Sequence, residues 1–250
     1  MIRYCDRIPD YPWQTSLMST RIGCYTMVYG TDKPFFDLWV QENGRQITAL
    51  LARIDTVLNV TCTAASDPIE LSEFICMLPV HTICCDWEAL CQTYSQVQQS
   101  WSMRLLDPPA ELLHPPKAVV AQSDARRLYA LISKVWGKTS PPFDAWYTDF
   151  CHRKNRGLLR AAVACEDNQD IGCAMTVSEC SGSAVVGGVC VLPAWRGQGI
   201  GSALVQNLCA WTLQSASHIY LAAEETIARS FYAQLGFVHS GDYFQIEKEG

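Results

Sequence analysis

A chain of 250 residues, 49% of them apolar, is long enough to bury a core in one large domain or two smaller ones, and too apolar to be disordered or fibrous. Its net charge of −6, with no run of Lys and Arg, argues against a nucleic-acid partner and suits amines or cationic peptides instead. The thirteen cysteines include no CxxC pair, so zinc-ribbon and thioredoxin-like readings lack their spacing and no metal is expected.

Most of those cysteines (Cys62, Cys76, Cys165, Cys173, Cys190, Cys209) lie in apolar runs, where a free thiol behaves as a small hydrophobe. That usage predicts a reducing, cytoplasmic setting. Met1 to Pro12 has no apolar stretch of the kind a signal peptide needs, and the longest apolar run, Ala184 to Leu192, is too short to span a bilayer. A soluble protein without a membrane partner is the expectation.

In chain order, Thr20 to Tyr29, Phe36 to Val40, Ile47 to Ile54 and Val57 to Thr63 are strand-like. A capped helix from Asp67 to Met77 follows, then a strand from His81 to Cys85, with Cys84 and Cys85 as strand filler, and a helix from Trp87. Asp107 to Pro116 holds four prolines in ten residues, which excludes a regular helix or central strand and predicts a semi-rigid linker. The expected organisation is therefore an N-terminal α/β domain over 1–106, a linker over 107–116 and a larger domain over 117–250.

In the larger domain, Lys117 to Ala121 predicts a strand. Ser123 and Asp124 cap a helix whose Leu128, Leu131, Ile132 and Val135 share one face, with Gly137 as its stop. Phe143 to Arg153 predicts a second helix. Leu158 to Cys165 and Ile171 to Glu179 predict antiparallel strands joined by a polar turn. Val185 to Leu192 is nearly continuous apolar sequence, as in a strand covered on both faces. Ile200 to Gln214 has helical periodicity, His218 to Ala223 is a buried strand, and Thr226 caps a helix through Leu235 with Ala228, Phe231, Tyr232 and Leu235 on one face and Gly236 as its left-handed stop. Tyr243 to Glu247 closes as a strand. This pattern is α/β (α+β), with a mixed, mostly antiparallel central sheet flanked by helices.

The chemistry lies at Val189-Cys-Val-Leu-Pro-Ala-Trp-Arg-Gly-Gln-Gly-Ile-Gly-Ser202. A buried strand ends at Pro193, and a basic, glycine-rich turn opens into an amphipathic helix. Without side chains at Gly197, Gly199 and Gly201, several backbone N–H groups can converge on one anion. The helix N-terminus adds unpaired donors, and Arg196 adds a full charge. A Walker loop would need a lysine before Ser202, and a dinucleotide fold would need GxGxxG with an acidic residue further on. Neither spacing is present.

The run Arg196-Gly-Gln-Gly199-Ile-Gly201 resembles the acyl-CoA signature of the GNAT superfamily of N-acetyltransferases, Arg/Gln-x-x-Gly-x-Gly/Ala. A second element of that family follows in order, Ala228-Arg-Ser-Phe-Tyr232-Ala-Gln-Leu-Gly236-Phe237. The resemblance covers about Lys117 to Gly250 and implies acetyl transfer from acetyl-CoA, as cosubstrate, to an amine-bearing acceptor. It implies that Val189 and Val191 line the acyl and pantetheine arm, with a backbone N–H near Val191 polarising the thioester. It also implies that Arg196, Gly197, Gln198, Gly199, Ile200, Gly201 and Ser202 hold the pyrophosphate, and that Tyr232 protonates the leaving thiolate.

The strand from Val185 to Leu192 lacks the carboxylate many relatives use as a base, which leaves Glu179, Glu224, Glu225 or a water chain. Where many relatives carry asparagine seven residues before the tyrosine, this chain has Glu225, which cannot donate the same hydrogen bonds. Trp146, Tyr147 and Asp149 are implied acceptor contacts, and the five histidines show no metal-ligand spacing. The N-terminal part repeats the order of elements without the glycine loop, as a degenerate second copy of the fold would. A non-catalytic acyl-CoA-binding protein and a longer-chain acyltransferase stay open beside the acetyltransferase, as do monomer and homodimer.

Overall fold

The computed structural model describes residues 1–106, 118–121 and 124–248. The expected linker at 107–116 lies outside the described residues, as do Lys117 and Ser123. The chain divides into two compact units, one of Met1–Met103, Ala222–Arg229 and His239–Gly250, the other of Arg104–Leu221 and Ser230–Val238.

The first unit contains β1 (Ile2–Tyr4), α1 (Leu17–Tyr29), β2 (Phe36–Asn43), β3 (Gln46–Ile54), β4 (Val57–Cys62), α2 (Pro68–Met77), β5 (Thr82–Cys85), α3 (Glu88–Cys91) and most of β6 (Val97–Leu105). The last strand of the chain, β12 (Phe237–Glu247), joins it from His239 on, and the strand order is β1-β2-β3-β4-β5-β12-β6. Strands β2, β3 and β4 pair antiparallel, β4 and β5 pair parallel from Val57↔Thr82 to Val60↔Cys85, and β12 lies antiparallel on β5 with Phe244 opposite Cys85. Leu51, Leu58, Val60, Leu71, Ile75, Ile83, Phe244 and Ile246 form its core. Each such side chain contributes roughly 1.5–3 kcal/mol on burial, which fixes both α2 and the C-terminal strand against the sheet.

One expected strand is a helix. Thr20 to Tyr29 lies within α1, because Ser16 and Ser19 form a reciprocal cap: the Ser16 side chain accepts from the Ser19 N–H at 3.1 Å and the Ser19 hydroxyl accepts from the Ser16 N–H at 2.9 Å. The helix is buried on most of its circumference, so its sequence shows no amphipathic period and its β-branched residues suggest a strand. Two further strands, β1 and β6, were not expected. The short β1 carries little pattern, and β6 buries Ser100 and Ser102 where an apolar alternation would be looked for.

The remaining elements are β7 (Ala118–Ala121), α4 (Ala125–Trp136), α5 (Phe143–Asn155), β8 (Ala161–Glu166), β9 (Gln169–Cys180), β10 (Ser183–Val191), α6 (Ile200–Thr212), β11 (His218–Ala223) and α7 (Thr226–Ala233). In the second unit the strand order is β11-β10-β9-β8-β7. Asp124 caps α4 by accepting from the Arg126 and Arg127 amides at 2.9 and 3.3 Å. The β8–β9 hairpin turns through Asp167 (φ 47°) and Asn168 (φ 63°), both tolerant of the left-handed region. Leu128, Leu131, Ile132, Phe150, Val163 and Met175 build the core under α4 and α5. The architecture is mixed α/β with a mostly antiparallel sheet flanked by helices, as expected.

All thirteen cysteines are free. Cys84 and Cys85 are buried in β5, whereas Cys76 is exposed at the end of α2.

Candidate functional site

The site begins with a strand that loses a partner. Parallel pairing of β10 with β11 runs from Ser183↔His218 to Val186↔Leu221 and stops. Residues Gly187 to Val191 continue with β9 alone, through a bulge between Gly187 and Cys190. Gly188 sits in that bulge at φ 59°, with the Met175 side chain 3.0 Å from where a Cβ would lie, so the bend needs glycine there. Cys190 is opposite Cys173, and Leu192 donates its N–H to the Ile171 carbonyl at 2.8 Å. Antiparallel alternation then turns the Val191 N–H away from β9, toward the unpaired edge.

Beyond Val191 a single 3₁₀ turn, Pro193–Trp195, leads into the glycine run. Arg196 folds back and donates from Nε to the Val191 carbonyl at 3.1 Å, and Gln198 Nε2 donates to the Ala194 carbonyl at 3.4 Å. Gly199 is the N-cap of α6 in the left-handed conformation, φ 75°, and Gly197 has φ 74°. The first i→i−4 bond of α6 is Ala203 N–H to Gly199 O at 3.0 Å. The amides of Ile200, Gly201 and Ser202 therefore precede any intrahelical acceptor. No side chain caps this helix, so those amides and the helix dipole are left for an anion. Arg196, Gly197, Gln198 and Gly199 are exposed, Gly201 and Ser202 half-buried, and Ile200 anchors the turn in the core. Gly201 is packed by Phe231 of α7, 3.5 Å from where its Cβ would be.

Tyr232 lies in α7 with its ring edge-on to Phe231 and Phe237, centroids 5.0 and 5.9 Å away. Burial pushes its phenol up to about 12, so the group stays protonated throughout the physiological range. Thr226 is the first residue of α7 rather than a cap before it, and the expected apolar face of that helix is half-buried rather than buried: none of its residues is enclosed, although Leu235 just beyond is.

The candidate bases and acceptor contacts separate. Glu179 is buried on β9, where its carboxylate accepts from Arg160 Nη1 and from Thr176 Oγ1 at 2.6 Å. It thereby ties β9 to the residue preceding β8. Glu179→Gln is expected to lower stability by about 1.5–3 kcal/mol, the worth of a hydrogen bond to a charged group, read as a shifted urea midpoint. Glu224 and Glu225 are exposed. On α5, Asp149 pairs with Arg153, which also donates to the Val177 carbonyl, and Trp146 stacks on Phe150 at 5.1 Å. Tyr147 lies against Phe143 with the Arg126 guanidinium 5.4 Å from its ring centroid. These three side chains thus have structural partners within the second unit. Sequence reasoning missed the bulge at Gly188, whose only signal was the Gly187-Gly188 pair inside an apolar strand.

The first unit repeats this topology without the anion site. Its β4 leads to α2, and β5 pairs parallel with β4 as β11 does with β10. At the start of α2, however, Asp67 accepts from the Ile69 and Glu70 amides at 3.0 and 3.2 Å, which places a carboxylate where a phosphate would have to sit.

Residues 158–239 match the family model of the acetyltransferase (GNAT) domain. Among solved structures, a GCN5-related N-acetyltransferase from Sphaerobacter thermophilus is similar at 19% identity and a TM-score of 0.63, over 99% of this chain and 95% of that one. A tandem GNAT protein from the clavulanic acid biosynthesis pathway aligns over 100% of this chain and 99% of its own at 13% identity and a TM-score of 0.61. An acetyltransferase of the GNAT family from Colwellia psychrerythraea aligns over 100% of both chains at 13% identity and a TM-score of 0.58. No curated protein matches the chain by sequence. Among the described residues no group of three or more His, Cys, Asp or Glu is placed to hold a metal ion, and no helix is long and apolar enough to cross a membrane.

Proposed function

We propose that the protein moves an acetyl group from acetyl-CoA to a primary amine, a reading supported by the match of residues 158–239 to the acetyltransferase (GNAT) domain model and by the fold the chain shares with a tandem GNAT protein. The observation that carries the proposal is the continuity of two features in one unit. The edge that β10 presents at Val191 runs directly into the uncapped amides of Ile200, Gly201 and Ser202. A thioester with a pyrophosphate-bearing arm matches that pairing, with the arm along Val189 and Val191 and the pyrophosphate over Arg196 to Ser202.

In this reading the amine loses its proton to solvent and its nitrogen attacks the thioester carbonyl carbon. The Val191 N–H stabilises the oxyanion that forms, a contribution of the oxyanion-hole kind. The nitrogen gives its extra proton to water, and as the C–O double bond returns the C–S bond breaks and the sulfur takes the phenolic proton of Tyr232, leaving free CoA and a neutral amide. Tyr232 is re-protonated from water. Arg196 has a second part: by holding the Val191 carbonyl it keeps the strand end and the glycine turn in one piece.

Titration calorimetry with acetyl-CoA, followed by thiol release on adding primary amines, tests this. The expected result is a dissociation constant on the order of micromolar and thiol release that requires both substrates. A second reading has its own observation: Ser183 to Val191 carries no carboxylate to act as a base. Binding without thiol release across a broad amine panel would favour that reading, a non-catalytic acyl-CoA-binding protein. Comparing acetyl-CoA with longer acyl-CoAs in the same assay sets the chain-length preference.

A further inference from the structure

The first unit has a cleft of its own, about 570 Å³, with a mixed lining whose polar side chains include Asp10, Tyr11, Thr15, Arg45, Thr63 and Asp86. That volume falls in the range of small-molecule sites. Its carboxylate, Asp86, follows directly on β5 and is held by neutral donors only. Ser16 Oγ and Thr61 Oγ1 donate to Oδ2 at 2.9 and 2.7 Å, and the Cys62 N–H donates to Oδ1 at 3.2 Å. The Asp86 backbone N–H is a further donor, and since all of these donors are uncharged the carboxylate is hydrogen-bonded without being neutralised. Among the described residues no Lys, Arg or His pairs with it. The N-terminus of α1, capped by Ser16, offsets about half a charge at most. Burial raises the Asp86 carboxyl above its ordinary range, as expected of a carboxylate that lacks a counter-ion.

The remaining lining supplies one more carboxylate, Asp10, and one cation, Arg45, both exposed. Two acids against one base leave one negative charge. Around it stand hydroxyls from Tyr11, Thr15 and Thr63, interleaved with the apolar Pro12, Ile47 and Cys62, a surface that offers a hydroxyl-bearing ligand both hydrogen bonds and ring contacts. We propose that this cleft is a second ligand site, which takes a small monocationic amine rich in hydroxyls, such as an amino sugar or amino alcohol, with its ammonium on Asp86 and Asp10. The site is independent of the acetyl-CoA reading, since every residue it uses lies in the first unit.

Saturation-transfer NMR and calorimetry with D-glucosamine, D-glucose and N-acetyl-D-glucosamine test it, because the three share a ring and only the first carries a charge. Glucosamine is expected to bind about tenfold or more tightly than either neutral sugar, the worth of one charge-assisted hydrogen bond. Asp86→Asn should remove that preference. As Asp86 also organises the start of α1, Asp10→Lys is the companion variant: its side chain is exposed, and reversing it should weaken glucosamine about tenfold by repulsion. Binding should persist in Gly199→Glu/Gly201→Glu, which separates this cleft from the second unit. Equal binding of the three sugars, no binding of glucosamine, or glucosamine binding unchanged in Asp10→Lys would overturn the proposal.

Discussion

Gly199→Glu/Gly201→Glu is expected to lose acetyl-CoA binding altogether while remaining folded. Three effects act in the same direction. Gly199 has φ 75°, and holding any other residue in the left-handed region costs about 1–2 kcal/mol. A carboxylate at the first turn of α6 occupies the helix dipole that the anion would otherwise use, worth about 0.3–1 kcal/mol. Repulsion between that carboxylate and a phosphate about 4 Å away adds roughly 4 kcal/mol at an effective dielectric constant of 20. Together they take affinity down by more than about a thousandfold.

Folding should survive the change. Nothing lies within 4 Å of where a Gly199 Cβ would be, and a Gly201 Cβ meets Phe231 at 3.5 Å, an ordinary contact. Calorimetry reads the affinity and circular dichroism the fold. Affinity within about tenfold of wild type in a folded variant would show that the pyrophosphate is not held at this turn.

Tyr232→Phe is expected to lower kcat by about a hundredfold and leave the acetyl-CoA dissociation constant nearly unchanged, since general acid catalysis is worth about 10²–10⁴. The ring contacts with Phe231 and Phe237 do not involve the hydroxyl, so the substitution removes the proton without disturbing the packing. The pH dependence has a definite sign. The phenol acts as an acid in its protonated form, and burial raises its pKa from 10.0 to about 12. Activity supported by Tyr232 therefore persists through pH 10, where an exposed tyrosine would be half-ionised, and falls only as pH approaches about 12. An unchanged kcat at saturating substrate, or an alkaline limb near pH 10 that vanishes in Tyr232→Phe, would remove the residue from this role or place it in a different environment.

The glycine turn was legible because its chemistry is local: a strand, a stop, alternating glycines and a helix occupy fourteen consecutive residues, Val189 to Ser202. The helices with strong signals were legible for the same reason, as with Asp124 before α4 and Asp67 before α2. What escaped were features settled by distant contacts. Helix α1 is enclosed on most sides, so burial overrides the strand preference of Thr20, Ile22 and Val28. The cap that starts it uses serine at the third position, where the familiar signature has glutamate or glutamine. Glu179 was a candidate base by sequence, but its partner Arg160 lies nineteen residues earlier, and no local pattern reveals that pairing.

The strand order of the first unit has a consequence for synthesis. Phe244 and Ile246 belong to the same core as Leu58 and Ile83, yet they leave the ribosome only after the whole of the second unit's sheet has been made. Until β12 emerges, β5 offers an unpaired edge and an unfilled apolar surface. The first unit therefore completes folding only once β12 has been made, and a nascent chain stalled before His239 presents that edge to chaperones or to other nascent copies.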